Sequence, residues 1–451
     1  MTQGKIWRHL LRFALPIMGG MLLQMLYNTV DGIVVGNAVG EAALGAVNTS
    51  GSFVNLLLAC ATGLSTGASI VLSQFYGAGK TDRLRQCIST VLILMLCLGA
   101  ALLVLGQLTT GLVLRHVLGV PEDTYGYASA YLHIYFLGLV FQFVYNALAA
   151  ALQSVGNSRA TLLFLVCSSL VNIVLDILFV AVFRFGVAGA AVATVIAQGV
   201  SVALAWRYIQ TRQKVLALSR KDFRFDRESC GMVLKVGVPV VFQNLIATAG
   251  TVFMQRLINS FGTSFMAAVA AGSRVEQFCV VPAISFGQAI SVFSGQNAGA
   301  GNFKRMLRGL YTGLAMTLGM AAVLSGCLVI FARPLVALFG CTDQALALGI
   351  EYLRFMAVVL LVGAVLFDCR GLLQGVGDVR TTLAVTFGTL AFRVISAYVM
   401  AGIPSIGYRA VWYAMGLDFL VGSVGFIIRL ASGKWKDKVI IHSDAPEAEG
   451  V

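Results

Sequence analysis

Between residues 10 and 430 the sequence passes through twelve apolar segments, each about 20 residues or longer, separated by short polar connections. This pattern fixes the solvent before it fixes the fold. A helix of about 20 apolar residues crosses the hydrocarbon core of a bilayer. With no water to satisfy backbone N–H and C=O groups, only helices or closed barrels can span it. The segments fall at 10–36, 44–74, 86–114, 125–153, 160–183, 187–207, 236–260, 264–295, 308–334, 345–374, 381–402 and 408–430. The chain is therefore expected to be an all-α membrane protein with twelve transmembrane helices. Its 58% hydrophobic and 11% charged residues supply too few charges to cover a water-exposed surface.

A net charge of +13 is compatible with a nucleic-acid partner, but its distribution points elsewhere. About 23 of the 32 Lys and Arg lie in connections on one side of the membrane, the bias of the positive-inside rule. Lys80, Arg83 and Arg85 follow the second span, Arg159 the fourth, Lys304, Arg305 and Arg308 the eighth, Arg380 the tenth, and Lys434, Lys436 and Lys438 the twelfth. The stretch 207–235 adds Arg212, Lys214, Arg220, Lys221, Arg224 and Arg227. Connections 36–43, 119–123 and 340–343 carry few cations, so both termini are expected on the cytoplasmic side and no nucleic acid is expected as a partner. Lys5, Arg8 and Arg12 precede the first span as in a signal peptide, but no small-residue cleavage site follows, and the span reads as a retained helix. The nine cysteines, among them Cys60, Cys97, Cys167 and Cys279, show no CxxC spacing and read as small core residues.

The chain repeats itself with a period of about 221 residues. Gln74-Phe75-Tyr76-Gly77-Ala78-Gly79 returns as Gln296-Asn297-Ala298-Gly299-Ala300-Gly301 at an offset of 222. Leu152-Gln153-Ser154-Val155-Gly156-Asn157 returns as Leu373-Gln374-Gly375-Val376-Gly377-Asp378 at 221. Leu15-Pro16-Ile17 matches Val238-Pro239-Val240, and Tyr131-Leu132 matches Tyr352-Leu353. Each half holds six crossings, an even number, so both enter the membrane from the same side. Two parallel six-helix bundles with a pseudo-two-fold axis along the membrane normal are expected. The boundaries are a first bundle over 1–210, a cytoplasmic linker over 211–235, a second bundle over 236–433 and a polar tail over 434–451. Two such bundles suit alternating access better than a rigid pore.

Ionisable groups within spans are costly, so each is a candidate for function. The acids are Asp31, Asp176, Glu276, Asp368 and Asp418. Asp31 follows Tyr27 by four residues, and Asp176 follows Asn172 by four, so each pair shares a helix face. If the two faces meet, the paired carboxyls form a site able to take up and release a proton. Glu276 follows Arg274 and Asp368 precedes Arg370, and either acid is expected to be neutralised locally or by a neighbouring helix. Asp418 has no cationic neighbour in sequence and is a candidate for a substrate cleft, together with Gln24, Met25, Met254 and Phe286. His133 has no second ligand at metal spacing and reads as a packed histidine; no metal and no cofactor are expected. The run Gly77-Ala78-Gly79-Lys80-Thr81 lacks the full phosphate-loop pattern, so energy is expected to come from an ion gradient.

These residues resemble a known family. Over essentially its whole length the chain resembles the multidrug and toxic compound extrusion (MATE) transporters. The likeness is carried by Pro16-Ile17 with Gln24, Tyr27 and Asp31, by Gln74 to Ala78, by Gln153 to Asn157, and by Asn172-x-x-x-Asp176. It looks closest to the DinF-like prokaryotic branch. The resemblance implies a cation-coupling site at Tyr27, Asp31, Asn172, Asp176 and Thr194, and a hinge at Pro16. It also implies secondary active efflux of small organic, often cationic, compounds from a bacterial inner membrane, by a protein acting as a monomer and not as an enzyme. Sodium-coupled members carry further acids in the seventh and tenth spans. The seventh span here has none and Asp368 lies nearer the loop, so proton antiport is expected, with sodium coupling as the alternative. A lipid-linked saccharide flippase is a further alternative. The repeat itself is asymmetric, since Asp31 aligns with Phe253 and Asp176 with Ala397.

Overall fold

The computed structural model describes residues 1–219 and 221–441. Twelve α-helices occupy them: α1 (Ile6–Val39), α2 (Glu41–Gly77), α3 (Thr81–Leu112), α4 (Glu122–Ser154), α5 (Ser158–Asp176), α6 (Gly186–Arg212), α7 (Arg227–Ser260), α8 (Thr263–Gly299), α9 (Phe303–Ala337), α10 (Asp343–Val376), α11 (Val379–Ala401) and α12 (Ala410–Ala431). All twelve are long and apolar enough to cross a membrane. Most extend beyond the apolar segments because hydropathy marks only the hydrocarbon depth, whereas the helix continues into the polar layers on either side. Their outer faces remain apolar: Leu108 is 78% exposed, Ile330 72% and Leu338 81%. Such faces are stable only against lipid.

The repeat is visible in local geometry. At the ends of α2 and α8, Gly79 and Gly301 adopt φ of 72° and 71°; at the ends of α4 and α10, Gly156 and Gly377 adopt 87° and 95°. Only glycine takes this left-handed conformation without a Cβ penalty. Each closes a Schellman cap, with the N–H of Lys80 bonding Phe75 O, Asn302 bonding Asn297 O, Asn157 bonding Leu152 O and Asp378 bonding Leu373 O. The helix pairings repeat as well: α3 on α4, α4 on α6 and α5 on α6 recur as α9 on α10, α10 on α12 and α11 on α12.

By contact, the chain divides at places other than the sequence boundaries. One unit holds Gly19–Tyr76 and Lys80–Val241; the other holds Met1–Met18, Gly77–Gly79 and the described chain from Phe242. Thus α1 and α7 each begin in one unit and end in the other. Pro16 lies two residues before the first change and Pro239 two before the second, each inside a helix where it removes a backbone hydrogen bond. The linker is also shorter than 211–235, because α6 runs to Arg212 and α7 starts at Arg227. It is pinned to α3: Arg85 donates to Val215 O at 3.2 Å and Lys214 O at 3.1 Å, and Asp226 N–H donates to Thr90 Oγ1 at 3.0 Å. Asp226 caps α7 by accepting from the Ser229 N–H at 3.0 Å, and its contacts with Ser229 hold its carboxyl below the usual range. Arg220 lies outside the described residues, as do 442–451 of the expected tail. Within 434–441 the charged residues Lys434, Lys436, Asp437 and Lys438 are exposed, while Trp435 is buried and donates to Leu430 O at 2.9 Å.

Within the second unit α8 packs closely on α10. A Cβ at Gly371 would stand 2.2 Å from Gly287 O, and one at Gly375 would stand 2.2 Å from Ser291 O. Small residues four apart on both helices allow the backbones to touch. Gly375→Ala is expected to cost about 1–3 kcal/mol, read as a lower melting temperature in detergent. An unchanged melting temperature would show that the contact relaxes freely.

Candidate functional site

The sequence placed Tyr27, Asp31, Asn172, Asp176 and Thr194 together only through a family likeness. The structure gathers all five inside the unit formed by Gly19–Tyr76 and Lys80–Val241. Tyr27 and Asp31 stand one turn apart on α1, and Asn172 and Asp176 one turn apart at the end of α5. Asn172 and Asp176 are each 1% exposed. With its amide oriented to satisfy both neighbours, Asn172 donates from its NH2 to Asp176 Oδ2 at 2.9 Å and accepts the Thr194 N–H at 3.2 Å. Tyr27 stands beside Thr194, whose hydroxyl donates to Ala190 O at 3.0 Å. Hydrogen bonds of this kind to a charged group contribute about 1.5–3 kcal/mol each, enough to hold Asp176 in one rotamer.

The central feature is the meeting of Asp31 and Asp176, which stand within electrostatic range of each other. Two neighbouring carboxylates repel each other in a buried site, so a site of this kind favours taking up a cation. Among the described residues, the second oxygen of each, Oδ1, is buried without a hydrogen-bond partner. The site therefore offers unused acceptor capacity. Directly after Asp176 the chain continues as a π-helical turn over Ile177–Val182. Such a turn widens the helix and occurs often at functional sites.

Three site residues were missed from sequence. Tyr131 and Tyr135 of α4 stack with ring centroids 5.7 Å apart and stand within electrostatic range of Asp31, and Gln198 of α6 lies beside Tyr135. Their signal was present: Tyr131 and Tyr135 are four apart, as are Thr194 and Gln198, each pair sharing one face of an otherwise apolar helix.

The remaining candidates fall elsewhere. Gln24 is exposed and Met25 half-buried on α1, while Pro16 is buried. Met254 and Phe286 are each 2% exposed. Met254 belongs to an apolar cluster with Leu257, Phe265 and Trp412, so it is packed core and not an open cleft wall. Asp418 is not free of cations: Arg393 of α11 stands 3.7 Å from it. Glu276 is not neutralised by Arg274, which is exposed; it accepts a hydrogen bond from the Tyr352 hydroxyl and lies in the field of Arg393. Asp368 is fully buried beside Thr317, and Arg370 stacks on the Phe367 ring at 5.6 Å, because residues two apart on a helix point in different directions. His133 bonds Gln107 through its ring and its carbonyl, at 2.5 and 2.7 Å.

Comparison with known proteins matches this arrangement to a family twice over. The MatE family profile matches residues 16–178 and again 239–399, the same register as the internal repeat. The chain is similar to the Bacillus subtilis (strain 168) protein named "Probable multidrug resistance protein YpnP", with 30% identity over 437 residues, 96% of this chain and 97% of that one. It is also similar to an "FAD transporter" of Shewanella oneidensis, with 25% identity over 362 residues, 79% of this chain and 78% of that one. Among solved structures, it is similar to an outward-facing multidrug resistance MATE family transporter of the MOP superfamily. That likeness has a TM-score of 0.89 and 25% identity, and it covers 97% of this chain and 98% of that one.

Proposed function

The chain belongs to the MatE family of multi-pass membrane transporters, and from that premise we propose that it is a multidrug efflux protein of the bacterial plasma membrane that exchanges protons for small organic compounds at Asp31 and Asp176. It is a transporter and not an enzyme. The observation that supports the coupling role is the pair of neighbouring acids itself, of which Asp176 is steadied by Asn172. Loading a second proton neutralises the pair; losing both leaves two buried like charges that repel. The two states differ by several kcal/mol in a low-dielectric bundle, which is the size of bias an alternating-access equilibrium needs. Pro16, inside α1 and next to the change of unit, is assigned as the hinge through which that bias bends the helix. Both termini are placed in the cytoplasm on the strength of the basic connections.

Sodium is the second reading for the coupling ion, favoured by the unpartnered oxygens of Asp31 and Asp176 together with the Asn172 and Thr194 oxygens, a hard donor set suited to that ion. Dinucleotides are the second reading for the cargo, from the similarity to the Shewanella transporter. One experiment addresses both: transport into inverted vesicles with proton and sodium gradients imposed separately, using fluorescent organic cations and FAD as cargo. A proton gradient alone is expected to drive accumulation of the organic cations. Transport that follows only the sodium gradient would overturn proton coupling, and transport of FAD alone would overturn the cargo assignment.

A further inference from the structure

The second unit carries its own buried charges, which the coupling site does not use. Arg393 on α11 places Nη1 3.7 Å from Asp418 Oδ2 on α12, with the two side chains 21% and 17% exposed. Glu276 on α8 faces the same guanidinium and accepts a hydrogen bond from Tyr352 on α10. Four helices of one unit thus contribute two carboxylates, a phenol and a single cation. The repeat shows where this cluster sits: Arg393 lies 221 residues after Asn172, and Tyr352 lies 221 residues after Tyr131. In the first unit those two positions belong to the coupling site and its tyrosine wall. At Ala397, the counterpart of Asp176, the second unit has no carboxyl.

We propose that Glu276, Asp418 and Tyr352 form a second cation site, filled by the chain's own Arg393. The first unit exchanges its positive charge with solvent, and the second carries it covalently. The geometry favours a seated ion over a structural ion pair. A bidentate Arg–carboxylate fork has N···O distances of about 2.7–2.9 Å. The 3.7 Å separation is longer, and Arg393 Nε is buried with no partner among the described residues. The guanidinium is held by the field of two acids, not by a fitted fork. One cation faces two carboxylates, so removing it leaves two unpaired acids inside an apolar bundle and creates a demand for a small monovalent cation. This inference goes beyond proton antiport: only the comparison with the first unit rests on that reading, and the contacts of Arg393 stand without it.

The test is chemical rescue. Purified Arg393→Ala is expected to melt below the parent protein in detergent, and millimolar guanidinium or sodium is expected to restore part of that loss, while choline at equal ionic strength does not. The parent protein, its site filled, is expected to show no such selective response. Adding Asp418→Asn and Glu276→Gln to Arg393→Ala is expected to raise the melting temperature and abolish the cation response together. If Arg393→Ala yields no folded protein, the triple variant decides: folded protein is expected, because the unpaired acids are gone. A cation response no different from that in choline, or a triple variant no better folded than the single one, would overturn the proposal.

Discussion

Asp31→Asn is expected to abolish export driven by a pH gradient while leaving the protein folded and inserted. The argument rests on shape and charge. Asparagine keeps the volume of aspartate and can donate its amide to Asp176, so the contact between α1 and α5 survives. What disappears is one titratable carboxyl. A gradient of one pH unit supplies about 1.4 kcal/mol per coupled proton, enough for about a tenfold cargo gradient. In the variant that accumulation ratio should fall to one, with cargo only equilibrating across proteoliposomes. Elution as a single species and a melting temperature near that of the parent would show that the loss is functional. Full pH-driven accumulation by the variant would remove Asp31 from the coupling site. Thr194→Ala, which deletes only one hydroxyl from the same cluster, should weaken transport far less.

The sequence read well where physics acts locally. Twelve helices followed from apolar length, and the repeat followed from glycines at Gly79, Gly156, Gly301 and Gly377, which the caps require. The acids of the proposed coupling site stood out because a carboxyl in an apolar span demands a reason. What stayed hidden depends on which helices touch. Arg393 and Asp418 are separated by a loop and meet only because α11 packs on α12. The tyrosines of α4 share a face of an apolar helix, and only the fold brings Asp31 and Asp176 within electrostatic range of them. Hydropathy also says nothing about a helix that starts in one unit and ends in the other, since its composition is continuous across the change; only the prolines marked the place.

Repeat comparison extends to a second pair, and here it predicts a rescue. In the first unit Asn157 donates from its amide to the Tyr208 hydroxyl at 3.0 Å. Exactly one period of 221 residues later the same two places hold Asp378 and Arg429, joined at 2.7 Å with side chains 2% and 18% exposed. Asp378 also accepts from the Thr381 hydroxyl at 2.7 Å, so its carboxylate is the hub between the start of α11 and the end of α12. Asp378→Ala strands the guanidinium in a mostly buried position, and breaking such a pair from one side costs about 3–5 kcal/mol. Melting in detergent should drop accordingly, with a smaller yield of single-species protein. The double variant Asp378→Asn with Arg429→Tyr installs the neutral pair that the first unit already uses at the same backbone positions. It is expected to recover most of the loss, because what the fold requires there is a satisfied polar contact and not a charge. In a double-mutant cycle this appears as a large favourable coupling between the two substitutions. Additive losses, with the double variant less stable than either single one, would mean that the two units have diverged in packing at this corner and that the repeat no longer guides substitution.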